Sequence, residues 1–138
     1  MNETICNKLI KLSKKAAKHK EVPVAAIITR KNKIIACTYN KRESKKDALG
    51  HAEILCIKKA SKKIKSWKLD GCIMYCTLKP CSMCEKIIRE SRIDEVIYIL
   101  EKNENKKEYD KTKIKKYDNK KYEIKLKTIM KNFFVSKR

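Results

Sequence analysis

The stretch Cys72-Ile73-Met74-Tyr75-Cys76-Thr77-Leu78-Lys79-Pro80-Cys81-Ser82-Met83-Cys84 decides how this chain is read. Its first seven residues are almost continuously apolar, which predicts a strand covered on both faces and so a central place in a sheet. Pro80 then opens a helix running through Cys84, Ile87 and Ile88, because proline is tolerated where the first amide needs no partner. Cys81 and Cys84 are three apart, so on a helix their sulfurs share one face and can reach one ion. Cys72 and Cys76 are four apart, which in an extended strand separates them by roughly 13 Å, too far for a shared ion.

Outward from this stretch, the pattern alternates between helix and strand. Ile5, Leu9, Leu12 and Ala16 recur at helical spacing over residues 4–18, with lysines on the opposite face. His19, set between lysines, reads as a solvated helix-end residue. Val22 to Thr29 and Ile34 to Tyr39 are apolar and β-branched, and the polar Arg30-Lys31-Asn32-Lys33 between them predicts a hairpin. Asn40 to Gly50 reads as a polar loop. Ala52 to Ile64, with Ile54, Leu55, Ile57 and Ala60, predicts a helix buried on much of its circumference. Val96 to Leu100 is a fourth strand, and the charge-rich Glu101 to Lys121 is a weak helix or a mobile loop. Tyr122-Glu123-Ile124-Lys125-Leu126 alternates apolar with polar and predicts an edge strand, followed by a short helix over Ile129 to Val135. No repeat or linker divides residues 1–138. The expectation is one domain, a three-layer α/β/α sandwich on a mixed five-stranded sheet.

Composition narrows the class of partner. The chain has 138 residues, 37 Lys plus Arg against 16 Asp plus Glu, and a formal charge of +21. Such a surface attracts polyanions, so RNA or DNA is favoured over acidic proteins or neutral surfaces. Only five of the cations are arginines, fewer than bidentate phosphate recognition would favour, so an AT-rich coding bias towards lysine accounts for the charge equally well. A hydrophobic content of 42% argues against global disorder, and no apolar run is long enough to span a bilayer. Met1 to Ile10 mixes Glu3, Asn7 and Lys8 among its apolar residues, unlike an export signal, so the expected compartment is the reducing cytoplasm. There, an odd count of seven cysteines points to metal or catalysis rather than disulfides. Cys37, Cys56, Cys72 and Cys76 lie in apolar stretches and read as small buried hydrophobes.

Two short motifs carry the chemistry: His51-Ala52-Glu53 and Pro80-Cys81-Ser82-Met83-Cys84. Each falls where strand structure gives way to a helix, and a helix N-terminus favours the thiolate that metal binding needs. With His51 as third ligand, two sulfurs and one imidazole suit zinc better than magnesium or calcium. A tetrahedral zinc with three protein ligands keeps a fourth position open, as in catalytic sites, and water there ionises near neutral pH. Glu53, two residues after His51, is then placed to take and pass on the proton. The competing reading is a closed structural knuckle completed by Cys76 or Cys56, with Glu53 merely solvated.

The pattern H-x-E…P-C-x-x-C is the signature of zinc nucleobase deaminases. Together with Glu21-Val22-Pro23-Val24-Ala25-Ala26, Asn40, Asp47, Thr77-Leu78 and Ser91-Arg92-Ile93, it resembles the bacterial tRNA adenosine deaminases. The resemblance covers about Leu9 to Leu100, and more loosely the ending Phe133-Phe134 with Arg138. It implies a cytidine deaminase-like fold, one Zn²⁺ held by His51, Cys81 and Cys84, Glu53 as proton shuttle and Asn40 as a substrate-binding residue. It further implies conversion of adenosine to inosine at the wobble position of a tRNA anticodon loop, by a homodimer. The chain departs from that family's pattern at Lys79, where glutamate is usual, at Ala25, where glycine is usual, and over residues 99–121. Two other readings stay open: a deaminase of cytosine, cytidine, guanine or single-stranded nucleic acid, and a non-catalytic zinc-containing RNA-binding subunit.

Overall fold

A computed structural model describes residues 1–101 and 112–137. Among the described residues β1 (Ala25–Arg30), β2 (Lys33–Tyr39), β3 (Cys72–Leu78), β4 (Glu95–Leu100) and β5 (Lys113–Lys116) form one sheet in the order β2-β1-β3-β4-β5. The hairpin of β1 (Ala25–Arg30) and β2 (Lys33–Tyr39) turns at Lys31 and Asn32, whose φ values of 50° and 63° are those a two-residue turn between twisted strands requires. β1 also pairs antiparallel with β3 (Cys72–Leu78), and β3 runs parallel to β4 (Glu95–Leu100). The sheet is therefore mixed, as expected, and β3 lies at its centre.

Helices cover both faces. On one side α3 (Ala52–Ile64) and α4 (Ser82–Glu90) pack Ala52, Cys56, Ala60 and Ile88 against Ala26, Ile28, Met74 and Cys76. On the other, α1 (Glu3–Lys18) and α5 (Lys120–Ser136) pack Ile5, Leu9, Tyr122 and Leu126 against Ala25, Ile27 and Ile99. Asn2 caps α1, its side chain accepting from the Ile5 amide at 2.9 Å. Alternation along β1 sends Ala26 and Ile28 to one layer and Ala25 and Ile27 to the other, which is why this strand and β3 read as unbroken apolar runs. No helix among the described residues is long and apolar enough to cross a membrane.

The C-terminal third departs from the expectation. The last strand, β5 (Lys113–Lys116), lies inside the segment read as weak helix or loop, and Tyr122 to Leu126 is helical, not an edge strand. The terminal helix is correspondingly longer than Ile129 to Val135. Tyr122, Leu126 and Phe133 are the buried residues of α5, with Ile129 and Met130 partly buried between them, a helical period. Ile124 is 62% exposed, so its apolar side chain made a false alternation with Tyr122 and Leu126. β5 eluded the sequence because Lys-Ile-Lys-Lys offers the core one side chain, Ile114, paired with Val96 of β4. Residues 102–111 of the charge-rich stretch after Leu100, and Arg138, lie outside the described residues.

The polar loop Asn40 to Gly50 contains one short helical turn, α2 (Arg42–Lys45). Glu21, with no exposed surface, reaches it from the end of α1, accepting from the Glu43 amide at 3.0 Å and the Ser44 amide at 2.7 Å. Burial pushes the Glu21 carboxyl up, but the hydrogen bonds from Ser44 and Glu43 outweigh it and leave the pKa below its ordinary value. Gly50 closes the loop against the same turn. A Cβ there would stand 2.9 Å from the Arg42 nitrogen and 3.0 Å from the Asp47 oxygen, so only glycine allows this approach.

Candidate active site

The start of β1, the end of β2, the end of β3 and the first turns of α3 and α4 all meet at one end of the sheet. His51 is the N-cap of α3 and Cys81 the N-cap of α4. These are positions where a side-chain oxygen commonly turns back to the helix amides. Neither residue makes such a bond, and their side chains face each other instead. His51 Nδ1 lies 3.8 Å from Cys81 Sγ and 3.5 Å from Cys84 Sγ, and the three donor atoms lie within 4.8 Å of one another. With Zn–S near 2.3 Å and Zn–N near 2.0–2.1 Å, a tetrahedral zinc requires N···S edges of about 3.5 Å. The donor set fits that ion in chemistry and in spacing.

Burial, with Glu53 and Cys81 beside it, holds the Cys84 thiol far above its ordinary value. A dication at the point the three donors share reverses that sign, because a coordinated thiol is deprotonated outright. Cys56 and Cys76 do not join this group. Burial pushes Cys56 up to about 12, and its sulfur donates to the Ala26 carbonyl at 3.6 Å. Burial likewise raises Cys76 well above the thiol range. Both are packing residues of the α3 layer, so among the described residues no fourth cysteine closes the shell.

A pocket of about 150 Å³ opens beside these donors, lined by Val22, Val24, Asn40, Arg42, His51, Ala52, Glu53, Leu78, Lys79 and Cys81. Glu53 is 4% exposed and close enough to the Cys84 thiol to raise it. Asn40 is 5% exposed, and its Oδ1 atom is buried without a hydrogen-bond partner in the protein. A buried acceptor left unsatisfied costs about 1–3 kcal/mol, which makes it a natural contact for a ligand donor. Thr38 locks the start of α3 to β2 by donating to the Ala52 carbonyl at 2.6 Å. Of the five residues singled out in the sequence, His51, Glu53, Cys81 and Asn40 line this pocket, and Cys84 is buried beside His51 and Cys81. Sequence reasoning missed the parts played by Glu21 and Gly50, and the only available signal was an acid beside an apolar strand and a rare glycine. His19, expected to be solvated, is exposed against Tyr39, with ring centroids 6.0 Å apart.

Known proteins share this fold and parts of this sequence. The family model described as MafB19-like deaminase matches residues 1–138. The tRNA-specific adenosine deaminase of Buchnera aphidicola subsp. Schizaphis graminum is 34% identical over 134 residues, covering 89% of this chain and 87% of that relative. The chain spans 60% or less of several other curated relatives that it matches. A structure from work on A-to-I editing by tRNA:A34 deaminases superposes with a TM-score of 0.75 at 24% identity, covering 83% of this chain and 98% of that one. Guanine deaminase from Bacillus subtilis superposes with a TM-score of 0.68 at 32% identity, covering 73% and 66%. With a cytidine deaminase-like sandwich carrying a His/Cys/Cys donor set, similar over most of its length to a tRNA-specific adenosine deaminase, the chain belongs to the MafB19-like deaminase family, whose model matches residues 1–138.

Proposed function

We propose that this chain is a zinc-dependent hydrolytic deaminase that converts adenosine to inosine at the wobble position of tRNA. The observation that carries the reading is the convergence of His51, Cys81 and Cys84 within 4.8 Å, beside the buried Glu53 in one pocket. A bound zinc ion supplies the Lewis acidity that makes water a nucleophile at neutral pH. Glu53 takes the proton released from that water and delivers it to N1 of adenine as C6 becomes tetrahedral. The same carboxylate then takes the proton of the new C6 hydroxyl and carries it to the departing amine as the carbonyl forms. Water and adenosine become inosine and ammonia, and Glu53 ends as it began. Asn40 offers its Oδ1 atom to a donor on the nucleoside and so fixes the base against Val22, Val24 and Leu78. Presenting the base requires unstacking it, which a single-stranded anticodon loop allows at less cost than a duplex. The assembly is a homodimer in the cytoplasm and the partner a tRNA, in line with the net charge of +21.

The test is mass spectrometry of nucleosides from a tRNA transcript carrying adenosine at the wobble position, before and after incubation with the purified chain. Inosine at that position is expected, and its absence contradicts the proposal. The identity to a guanine deaminase structure favours one second reading, a deaminase of a free base. Ammonia released from guanine without RNA would support it.

A further inference from the structure

We propose that Lys79 and Arg42 form a clamp at the pocket mouth for a phosphate attached to the nucleoside being processed. The inference deepens the deaminase reading and rests on it. A space of about 150 Å³ takes a ring system and little more, so a sugar and its phosphates must stay at the rim. Two of the residues lining that rim are cations drawn from different elements, Arg42 at the start of α2 and Lys79 in the turn between β3 and α4. Among the described residues the only acid lining the pocket is Glu53, which is buried.

Both cations are held in place by their backbones and left available by their side chains. The Lys79 amide donates to the Leu100 carbonyl at 2.9 Å, and α2 is fixed by the buried Glu21. The ammonium of Lys79 keeps 23% side-chain exposure and meets one carboxylate, Glu101, at 3.9 Å, the outer limit of an ion pair. That carboxylate is already engaged, since its other oxygen accepts from the Tyr98 hydroxyl at 2.9 Å. Arg42 is exposed and makes no ion pair with any described residue. A neutral base or nucleoside gives these two charges nothing to meet. A phosphodiester satisfies both, so the pair selects nucleotides within a chain over free bases.

The test is equilibrium binding, by fluorescence anisotropy, of a labelled single-stranded RNA heptamer with central adenosine, and of the same heptamer with uncharged methylphosphonate linkages flanking that adenosine. Wild-type protein is expected to bind the phosphodiester form about tenfold more tightly. Lys79→Gln should remove most of that difference, Arg42→Gln should reduce it, and each should lower the salt slope by about one. Lys63→Gln, on the exposed surface of α3, should leave the difference intact. Equal wild-type affinity for the two heptamers would overturn the clamp, as would a Lys79→Gln effect no larger than that of Lys63→Gln. Because binding is read without turnover, a linkage-dependent affinity with no inosine formed would refute the deaminase reading and leave the clamp standing.

Discussion

The start of α3 and α4 and the strip from β5 to α5 lie on one sheet but are held by opposite means. At the first, buried groups fix the backbone next to the site: Thr38 holds Ala52, Glu21 holds α2, and Gly50 sits tight against Arg42. At the second, Ile114, Tyr122, Leu126 and Phe133 pack inward, and the polar surface is tied by charged pairs. Lys116 joins Asp118 at 2.9 Å and also bonds Glu123, Lys115 meets Glu95 at 2.8 Å, and Lys121 approaches Glu3 at 3.9 Å. Buried hydrogen bonds to charge are worth about 1.5–3 kcal/mol, whereas exposed ion pairs give at most about 1. Buried hydrogen bonds thus hold the backbone on the His51 side of the site, while the exposed surface of the edge is tied by weaker contacts.

The sharpest way to break this contrast is chemical. Glu53→Ala should lower turnover by about 10³-fold, the scale of a lost general acid-base, while leaving metal content unchanged. Paired kinetics and metal analysis check it, and unaltered turnover would remove Glu53 from the mechanism. The next effect is structural. Glu21→Gln should destabilise the fold by about 2 kcal/mol at pH 7, read by urea unfolding, because Glu43 and Ser44 each donate to a different oxygen and glutamine puts a donor NH2 in place of one of them. Its pH dependence has a definite sign. The Glu21 carboxyl is held below its ordinary 4.5, so its contribution is present above that value and is lost as pH falls through the folded-state pKa. The gap between wild type and Glu21→Gln should therefore shrink in acid. The smallest effect belongs to the edge. Lys121→Ala should change stability by less than about 0.5 kcal/mol, and a larger loss would mean that the edge is not held as loosely as its contacts indicate.

The same contrast explains what the sequence could reveal. His51, Cys81 and Cys84 are legible because metal chemistry restricts which residue types can serve and at what spacing on a helix. β1, β3 and β4 are legible because a strand covered on both faces must be apolar at nearly every position. β5 is not, since an edge strand of Lys-Ile-Lys-Lys is specified by pairing with β4 and by ion pairs formed only after folding. Ile124 misdirects for a related reason: an exposed apolar residue on α5 carries no packing information yet imitates alternation. Glu21 and Gly50 escape because their work is tertiary. One accepts from amides more than twenty residues away, and the other yields space to a neighbouring backbone.

X-ray absorption at the zinc edge, on the purified chain with its metal content measured in parallel, tests the central claim most directly. The account predicts one zinc per chain with two sulfur neighbours near 2.3 Å and two lighter ones near 2.0 Å, a shell that loses a sulfur or its metal in Cys84→Ala. A chain that holds no zinc, or a closed shell of three or four sulfurs, would contradict it.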